Sequence, residues 1–181
     1  MPLLLANSSP VRDWESFAVA DGPPRPVYGF RGASGIDGTL SQAFGIAAAT
    51  GAAVLLSGDL ALLHDSNGWL WAHQRHGRLT VVLLDNGGGG IFEQLPIRCD
   101  PDAELDFERL FAMGQPLDQS RLAAAHGVPS RQLASAADLP DALAWSLEQP
   151  LALLRLHTDR RADADLRQGL RRMAASTPAP G

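Results

Sequence analysis

The chain has 181 residues, 45% of them hydrophobic and 19% charged, with a formal net charge of −5 and a sequence pI near 5.4. That length and apolar content suit one compact core, and the acidic balance lacks the basic face that phosphate-backbone binding needs, which argues against a nucleic-acid partner. The single cysteine, Cys99, can neither close an internal disulfide nor build a thiolate metal knuckle, and no run approaches the about 20 apolar residues that cross a bilayer, so a cytoplasmic setting with no membrane partner is expected.

Leu3-Leu4-Leu5-Ala6 reads as a buried strand starting almost at the first residue, as though a larger protein had been cut at a domain boundary. A helix is expected over Pro10 to Phe17, a proline-rich loop over Asp21 to Pro26 and a strand over Val27 to Phe30. Next come a helix over Gly38 to Thr50, whose small residues suit close packing against a sheet or a second subunit, and a strand over Ala53 to Ser57. A helix over Asp65 to Arg75 and a central strand over Leu79 to Leu84 precede the glycine run Gly87 to Gly90 and a loop over Pro96 to Asp106. Further helices are expected over Asp118 to His126, Asp138 to Leu147 and Asp159 to Met173, with a weaker strand near Arg131 to Ala134 and a stronger one over Leu151 to Leu156. Most strands are continuously apolar, as strands covered on both faces should be, and their alternation with helices predicts an α/β three-layer sandwich around a six-stranded parallel sheet. One domain is expected over 1–173, followed by a disordered tail over 174–181 that carries Pro178 and Pro180.

Chemistry concentrates in two segments, Ser57-Gly58-Asp59-Leu60 and Asp85-Asn86-Gly87-Gly88-Gly89-Gly90-Ile91-Phe92. Each follows an expected strand, so in a parallel sheet both emerge at the carboxyl edge, where open α/β sheets bind ligands. Magnesium takes six oxygens in near-octahedral array, and an Asp carboxylate with an Asn carbonyl fits that demand when phosphate and water supply the others. The glycines would let backbone approach a diphosphate and turn a carbonyl toward the metal. Alone, Asp59 would serve as a helix N-cap and the glycine run as a flexible turn; it is the pair that carries weight.

Gly-Asp followed, after an apolar strand, by Asn86 resembles the magnesium and diphosphate motif of thiamine-diphosphate-dependent enzymes. The resemblance implies a thiamine-diphosphate-binding fold with Asp59, Asn86 and the carbonyl of Gly88 as metal ligands, and Gly58, Leu60, Gly89, Ile91 and Phe92 beside the cofactor. Leu60 stands where many members carry Gly, and Asp85 where many carry Asn; neither change removes a proposed ligand. The block Arg31-Gly32-Ala33-Ser34-Gly35-Ile36-Asp37-Gly38 is similar to the menaquinone-pathway synthase family that joins 2-oxoglutarate to isochorismate. That likeness implies backbone contacts to the cofactor at Ser34 and Gly35, an aliphatic wedge at Ile36, and substrate contacts from Asn7, Ser8, Arg12 and Arg31. Two guanidinium groups suit dicarboxylic substrates, since each can grip a carboxylate with paired charge-assisted hydrogen bonds.

Agreement extends through Ile91-Phe92, Asp106 to Ala112 and Leu122 to Gly127, and departs at Gly114-Gln115, where a Pro-His-like pair would match. The implied activity is decarboxylation of 2-oxoglutarate and addition of the resulting unit to isochorismate, with thiamine diphosphate and Mg2+ as cofactors. No catalytic residue of the chain itself is assigned, because the activating glutamate of the family comes from a separate pyrimidine-binding domain across a dimer. The chain alone is therefore expected to bind cofactor weakly and not to turn over, and its partners to be that domain and further copies in a homodimer or higher assembly. A related decarboxylase or acetolactate-type domain, or a non-catalytic magnesium-diphosphate module, stays open; a Walker-type nucleotide loop is disfavoured because Ile91-Phe92 follows the glycines in place of Lys and Ser or Thr. His64, His73 and His76 lack ligand spacing, Trp69 and Trp71 read as packing or interface residues, and Cys99 as inert.

Overall fold

In a computed structural model of the chain, residues 1–19, 22–99 and 105–176 are described. Asp21 of the expected proline-rich loop, residues 100–104 of the expected loop over 96–106 and residues 177–181 of the expected tail lie outside them. The chain gathers into two compact units, one made of Met1–Asp85 and Pro116–His157, the other of Asn86–Gln115 and Thr158–Gly181.

The first unit is built on six strands: β1 (Leu3–Leu5), β2 (Val27–Gly29), β3 (Ala52–Gly58), β4 (Arg78–Asp85), β5 (Ser130–Leu133) and β6 (Leu151–His157). They lie in the order β2-β1-β3-β4-β6-β5, and every neighbouring pair is parallel. Its helices are α1 (Ser9–Phe17), α2 (Thr39–Thr50), α3 (Asp59–His64), α4 (Gln119–Ala125) and α5 (Leu139–Glu148). Because successive strand side chains point to opposite faces, the apolar runs feed two cores at once. Leu4, Leu55, Val81 and Leu153 pack on one face with Phe44 of α2 and Leu62 of α3, around the fully buried Trp69. On the other face Val82 and Leu154 pack against α5, and Leu3 and Leu5 against Val11 and Trp14 of α1. A parallel sheet with helices on both faces is the architecture the sequence predicts.

The helix expected over Asp65 to Arg75 is a correction. α3 begins six residues earlier, at Asp59, and Ser66–His73 forms 3-10 turns. Asp65 breaks the α-geometry, and its carboxylate caps nothing local; it accepts the Ser41 N–H at 2.6 Å and the Ser41 hydroxyl at 3.1 Å, fastening the turn to α2. Gly68 then lies so close to α2 that a Cβ would sit 3.1 Å from Leu40, which only glycine avoids.

The second unit contains 3-10 turns at Gly90–Gln94 and Pro96–Cys99, a π-type turn at Glu108–Ala112, and α6 (Arg160–Ser176). Phe111 meets Phe92 edge-on at 5.6 Å between ring centroids and stacks on Phe107 at 5.3 Å, giving the unit an aromatic centre. Asp159 caps α6 as expected, its Oδ1 accepting the N–H groups of Arg161 at 2.9 Å and Ala162 at 2.8 Å. α6 continues to Ser176, so Ala174 to Ser176 are helical where a frayed tail was expected.

Candidate functional site

In the first unit the chain leaves β1 for β2 on one side and returns to β3 on the other, so the β1/β3 junction is the topological switch point. The residues that follow β1, β2 and β3 are the ones singled out from sequence: Asn7, Ser8 and Arg12 after β1, Arg31 to Ile36 after β2, and Gly58, Asp59 and Leu60 at the end of β3. Parallel pairing brings all three exits to one edge.

Asn7 is 2% exposed, and its Nδ2 donates to the Gly35 carbonyl at 2.6 Å. It thereby ties the end of β1 to the loop after β2, holding Gly35 in place, while its Oδ1 is buried and has no hydrogen-bond partner among the described residues. Ser8 has φ 74° and ψ −131°, a region that glycine prefers, although its side chain makes no helix-cap bond. Such strain persists only where surroundings impose it, and it gathers at functional positions. The Arg12 Nη1 donates to the Ser8 carbonyl at 2.7 Å while the residue stays exposed. Arg31, Ser34 and Gly35 are exposed and Ile36 is half-buried, with its carbonyl fixed by the Thr39 hydroxyl at 3.1 Å.

Asp59 is 7% exposed and opens α3; its Oδ1 accepts the Leu60 N–H at 2.8 Å. From α4, Gln119 donates to the Asp59 carbonyl at 3.1 Å and so backs this turn. Beside it, a Cβ on Gly58 would meet no atom within 4 Å, which leaves open space of the kind a ligand group needs. Gly58 is in register with Leu84 of β4, and β4 ends one residue later at Asp85. Asp85 is buried but neutralised by Arg155 of β6, with Nη2 to Oδ2 at 2.6 Å, and Arg155 also reaches Asp118 at 3.2 Å. An acid in place of the family's Asn is thus accommodated by a cation on the adjacent strand, which nothing near Asp85 in the sequence announces.

The second unit opens with Asn86. Gly87 and Gly88 have φ of 77° and 128°, values that side-chain-bearing residues avoid. Gly89, at φ −74° and ψ 61°, centres an inverse γ-turn in which the Gly90 N–H donates to the Gly88 carbonyl at 2.8 Å. The glycines have a packing cause that sequence did not suggest. A Cβ on Gly88 would land on the Ala112 carbonyl and lie 3.0 Å from the Gly114 nitrogen, while one on Gly114 would lie 2.7 Å from the Gly87 carbonyl. The departure at Gly114-Gln115 is therefore part of this close backbone approach. Ile91 and Phe92 are half-buried, with Phe92 against the Phe111 ring.

Arg160 was invisible to motif reasoning. Its guanidinium pairs with Glu93 at 2.6 Å and with Glu108, and donates to the Gly87 carbonyl at 3.1 Å. Burial works against its charge, but the hydrogen bonds to Glu93 and Glu108 outweigh that, so its pKa lies above the ordinary arginine value. An Asp carboxylate, an Asn carboxamide oxygen and a backbone carbonyl are each hard oxygen donors, of the kind that suits magnesium rather than zinc. His64, His73 and His76 are exposed, and no group of three or more His, Cys, Asp or Glu among the described residues is arranged to hold a metal. Trp69 belongs to the core, whereas Trp71 is exposed.

Among the described residues no helix is long and apolar enough to cross a membrane. Residues 19–154 match the family model described as thiamine pyrophosphate enzyme, C-terminal TPP binding domain. The chain is 61% identical over 173 residues to the 2-succinyl-5-enolpyruvyl-6-hydroxy-3-cyclohexene-1-carboxylate synthase of Synechococcus sp. strain WH7803, covering 95% of this chain and 30% of the relative. To the protein of the same name from Synechococcus sp. strain CC9311 it is 58% identical, with the same coverage. The chain thus spans just under a third of these curated relatives. Among solved structures, benzoylformate decarboxylase from Polynucleobacter necessarius superposes with a TM-score of 0.67 at 18% identity, over 88% of this chain and 30% of that one. A 4-hydroxybenzoylformate decarboxylase from Rhodococcus jostii RHA1 gives 0.62 at 20% identity, over 88% and 29%. At such identities the likeness concerns the fold.

Proposed function

We propose, from the premise that this chain belongs to the thiamine pyrophosphate enzymes as their C-terminal TPP binding domain, that it is the diphosphate-and-magnesium part of a 2-succinyl-5-enolpyruvyl-6-hydroxy-3-cyclohexene-1-carboxylate synthase. The whole enzyme decarboxylates 2-oxoglutarate and adds the four-carbon unit to isochorismate, a step of menaquinone biosynthesis. The observation that carries this reading is the gathering of Ser8, Arg31 to Ile36 and Asp59 at one carboxyl edge by the pairing of β1, β2 and β3. Identity above half to synthases of that name supports the specific substrates.

In this reading Asp59, Asn86 and the Gly88 carbonyl would hold Mg2+, which would neutralise charge on the diphosphate of thiamine diphosphate. β3 and β4 finish in register, and Asn86 is the next residue along the chain after β4. Gly58, Leu60, Gly89, Ile91 and Phe92 line the cofactor, Ser34 and Gly35 give it backbone contacts, and Ile36 supports its middle. The bound cofactor supplies the electron sink for loss of carbon dioxide. Arg12 and Arg31, both exposed, orient the anionic substrates by paired hydrogen bonds, with Ser8 and Asn7 beside them. The proton relay that activates the cofactor comes from a glutamate on a pyrimidine-binding domain, in a homodimer or larger cytoplasmic assembly. Exposed Leu70 and Trp71 suit such an interface.

The test combines this chain with a separately expressed pyrimidine-binding domain and follows 2-oxoglutarate consumption. Consumption that requires isochorismate supports the synthase. Equal consumption without it, or preference for a small monocarboxylic 2-oxoacid, would replace the synthase with a decarboxylase or acetolactate-type enzyme. Calorimetric titration with thiamine diphosphate and Mg2+ reads the metal assignment: Asp59→Ala should abolish the heat that Mg2+ contributes.

A further inference from the structure

Glu93 carries a carboxylate whose side chain is 3% exposed, in the turn that follows the glycine run. Its two oxygens are divided between two arginines. Oε2 accepts from the Arg98 Nε at 2.6 Å, a partner five residues away, and Oε1 accepts from the Arg160 Nε at 2.6 Å, a partner 67 residues away at the start of α6. The rest of the Arg160 guanidinium is also engaged: Nη1 donates to the Gly87 carbonyl at 3.1 Å and Nη2 to Glu108 of the π-type turn. Arg160 is 16% exposed at its side chain, so this fork is largely shielded from competing water.

A guanidinium is planar and rigid, so three partners on three of its nitrogens have their positions fixed relative to one another. The partner that matters is Gly87. Gly87 and Gly88 both sit at positive φ, and neither has a side chain to brake rotation of the peptide between them. The Gly87 carbonyl belongs to that peptide. Holding it from outside sets the plane in which Gly88 begins, and the Gly90 N–H then sets the Gly88 carbonyl from the other side. Glu93 in turn holds Arg160, which keeps the fork aimed at Gly87 and away from solvent.

We propose that Arg160 is a positioning residue for the divalent cation, acting through the Gly87 carbonyl to aim that of Gly88. This rests on the reading of Gly88 as a metal ligand. Removal of a group that orients a ligand from behind lowers metal affinity by about 10- to 100-fold in metal sites generally. A loosened carbonyl penalises Mg2+ far more than Ca2+, because Mg2+ demands near-ideal octahedral geometry at about 2.0–2.1 Å while Ca2+ tolerates flexible, longer coordination.

The experiment uses the assembled enzyme, this chain with its pyrimidine-binding domain, and follows thiamine diphosphate binding by tryptophan fluorescence during titration with Mg2+ or with Ca2+. Arg160→Lys keeps a cation beside Glu93 but cannot serve both Glu93 and Gly87. The double variant Glu93→Gln/Arg160→Met removes both buried charges together and guards against misfolding of the single one. In both variants the half-saturating Mg2+ concentration should rise by about tenfold or more, with that for Ca2+ changing by less than about threefold. If both ions weaken by the same factor, or neither moves, while Asp59→Ala still loses its Mg2+ response, Arg160 is only a fastener of the fold and the inference is overturned alone. If Asp59→Ala retains the wild-type Mg2+ response, the metal reading itself fails and takes the role of Arg160 with it.

Discussion

Substituting Gly88 by alanine isolates the steric cause of the glycine run. The new methyl group would meet the Ala112 carbonyl carbon and the Gly114 nitrogen, each at 3.0 Å, as well as the Ala112 oxygen. Those obstacles are backbone, so no side-chain rotation relieves them. Forcing an L-residue to φ 128° costs about 1–3 kcal/mol, and overpacking adds about 1–3 kcal/mol. If the turn at 111–114 moves away, the Gly89 N–H bond to the Ala112 carbonyl is lost for a further ~1 kcal/mol. The expected total is about 2–7 kcal/mol, confined to the second unit. Native-state hydrogen exchange reads it as at least about a thirtyfold fall in protection of amides over 87–92 and 108–114. Gly45→Ala is the control: it sits in α2, a Cβ there meets nothing within 4 Å, and the change should stabilise by about 0.5–1 kcal/mol. If Gly88→Ala exchanges and melts like the wild type, close backbone approach is not why that residue is glycine.

Arg155→Met strands the buried Asp85 carboxylate and should cost about 3–5 kcal/mol by urea denaturation, most of it recovered in the double variant Asp85→Asn/Arg155→Met. Ser8→Gly releases strain at φ 74° and should raise stability by about 1 kcal/mol, while weakening substrate capture in the assembled enzyme if the hydroxyl touches substrate. Ser146→Ala leaves the buried Thr80 hydroxyl without its acceptor at 3.0 Å and should cost about 1–2 kcal/mol in thermal unfolding. Burial acts to raise the Glu108 carboxyl, but hydrogen bonds from Arg160 and Arg161 outweigh it and hold the carboxyl below its ordinary value. Its contribution to stability is thus complete above the ordinary value and lost as pH falls through the depressed one. A comparison of wild type with Glu108→Gln should show the gap between them closing as pH drops below about 4.5, and a gap that widens there would contradict the sign.

Sequence exposed those features whose cause is local. Leu79 to Leu84 and Leu151 to Leu156 are apolar but for Thr80 and Arg155 because both of their faces are covered, and each appears as a strand within a residue or two of its expected ends. β5 was faint because Ser130, Arg131 and Gln132 are exposed and only Leu133 points inward. Asp159 capped where an Asp before a helical pattern should, but Asp65, judged by the same rule, was engaged 24 residues away by Ser41. The positions after β1, β2 and β3 were legible because parallel topology decides which edge they share. The glycine run was read as making room for a ligand, when part of the room is taken by the backbone of residues 111–114. Arg160 gave no signal at all, since its partners Gly87, Glu93 and Glu108 are 73, 67 and 52 residues distant.

The fork at Arg160 also bears on the order of events during synthesis. β6 ends at His157, so a ribosome has delivered every strand of the sheet before it adds the arginine that braces Gly87. Nascent chains that stop short of α6 carry the complete sheet sequence and the whole glycine run, yet lack the brace. The brace on Gly87 is therefore available only after the last strand of this sheet has been made.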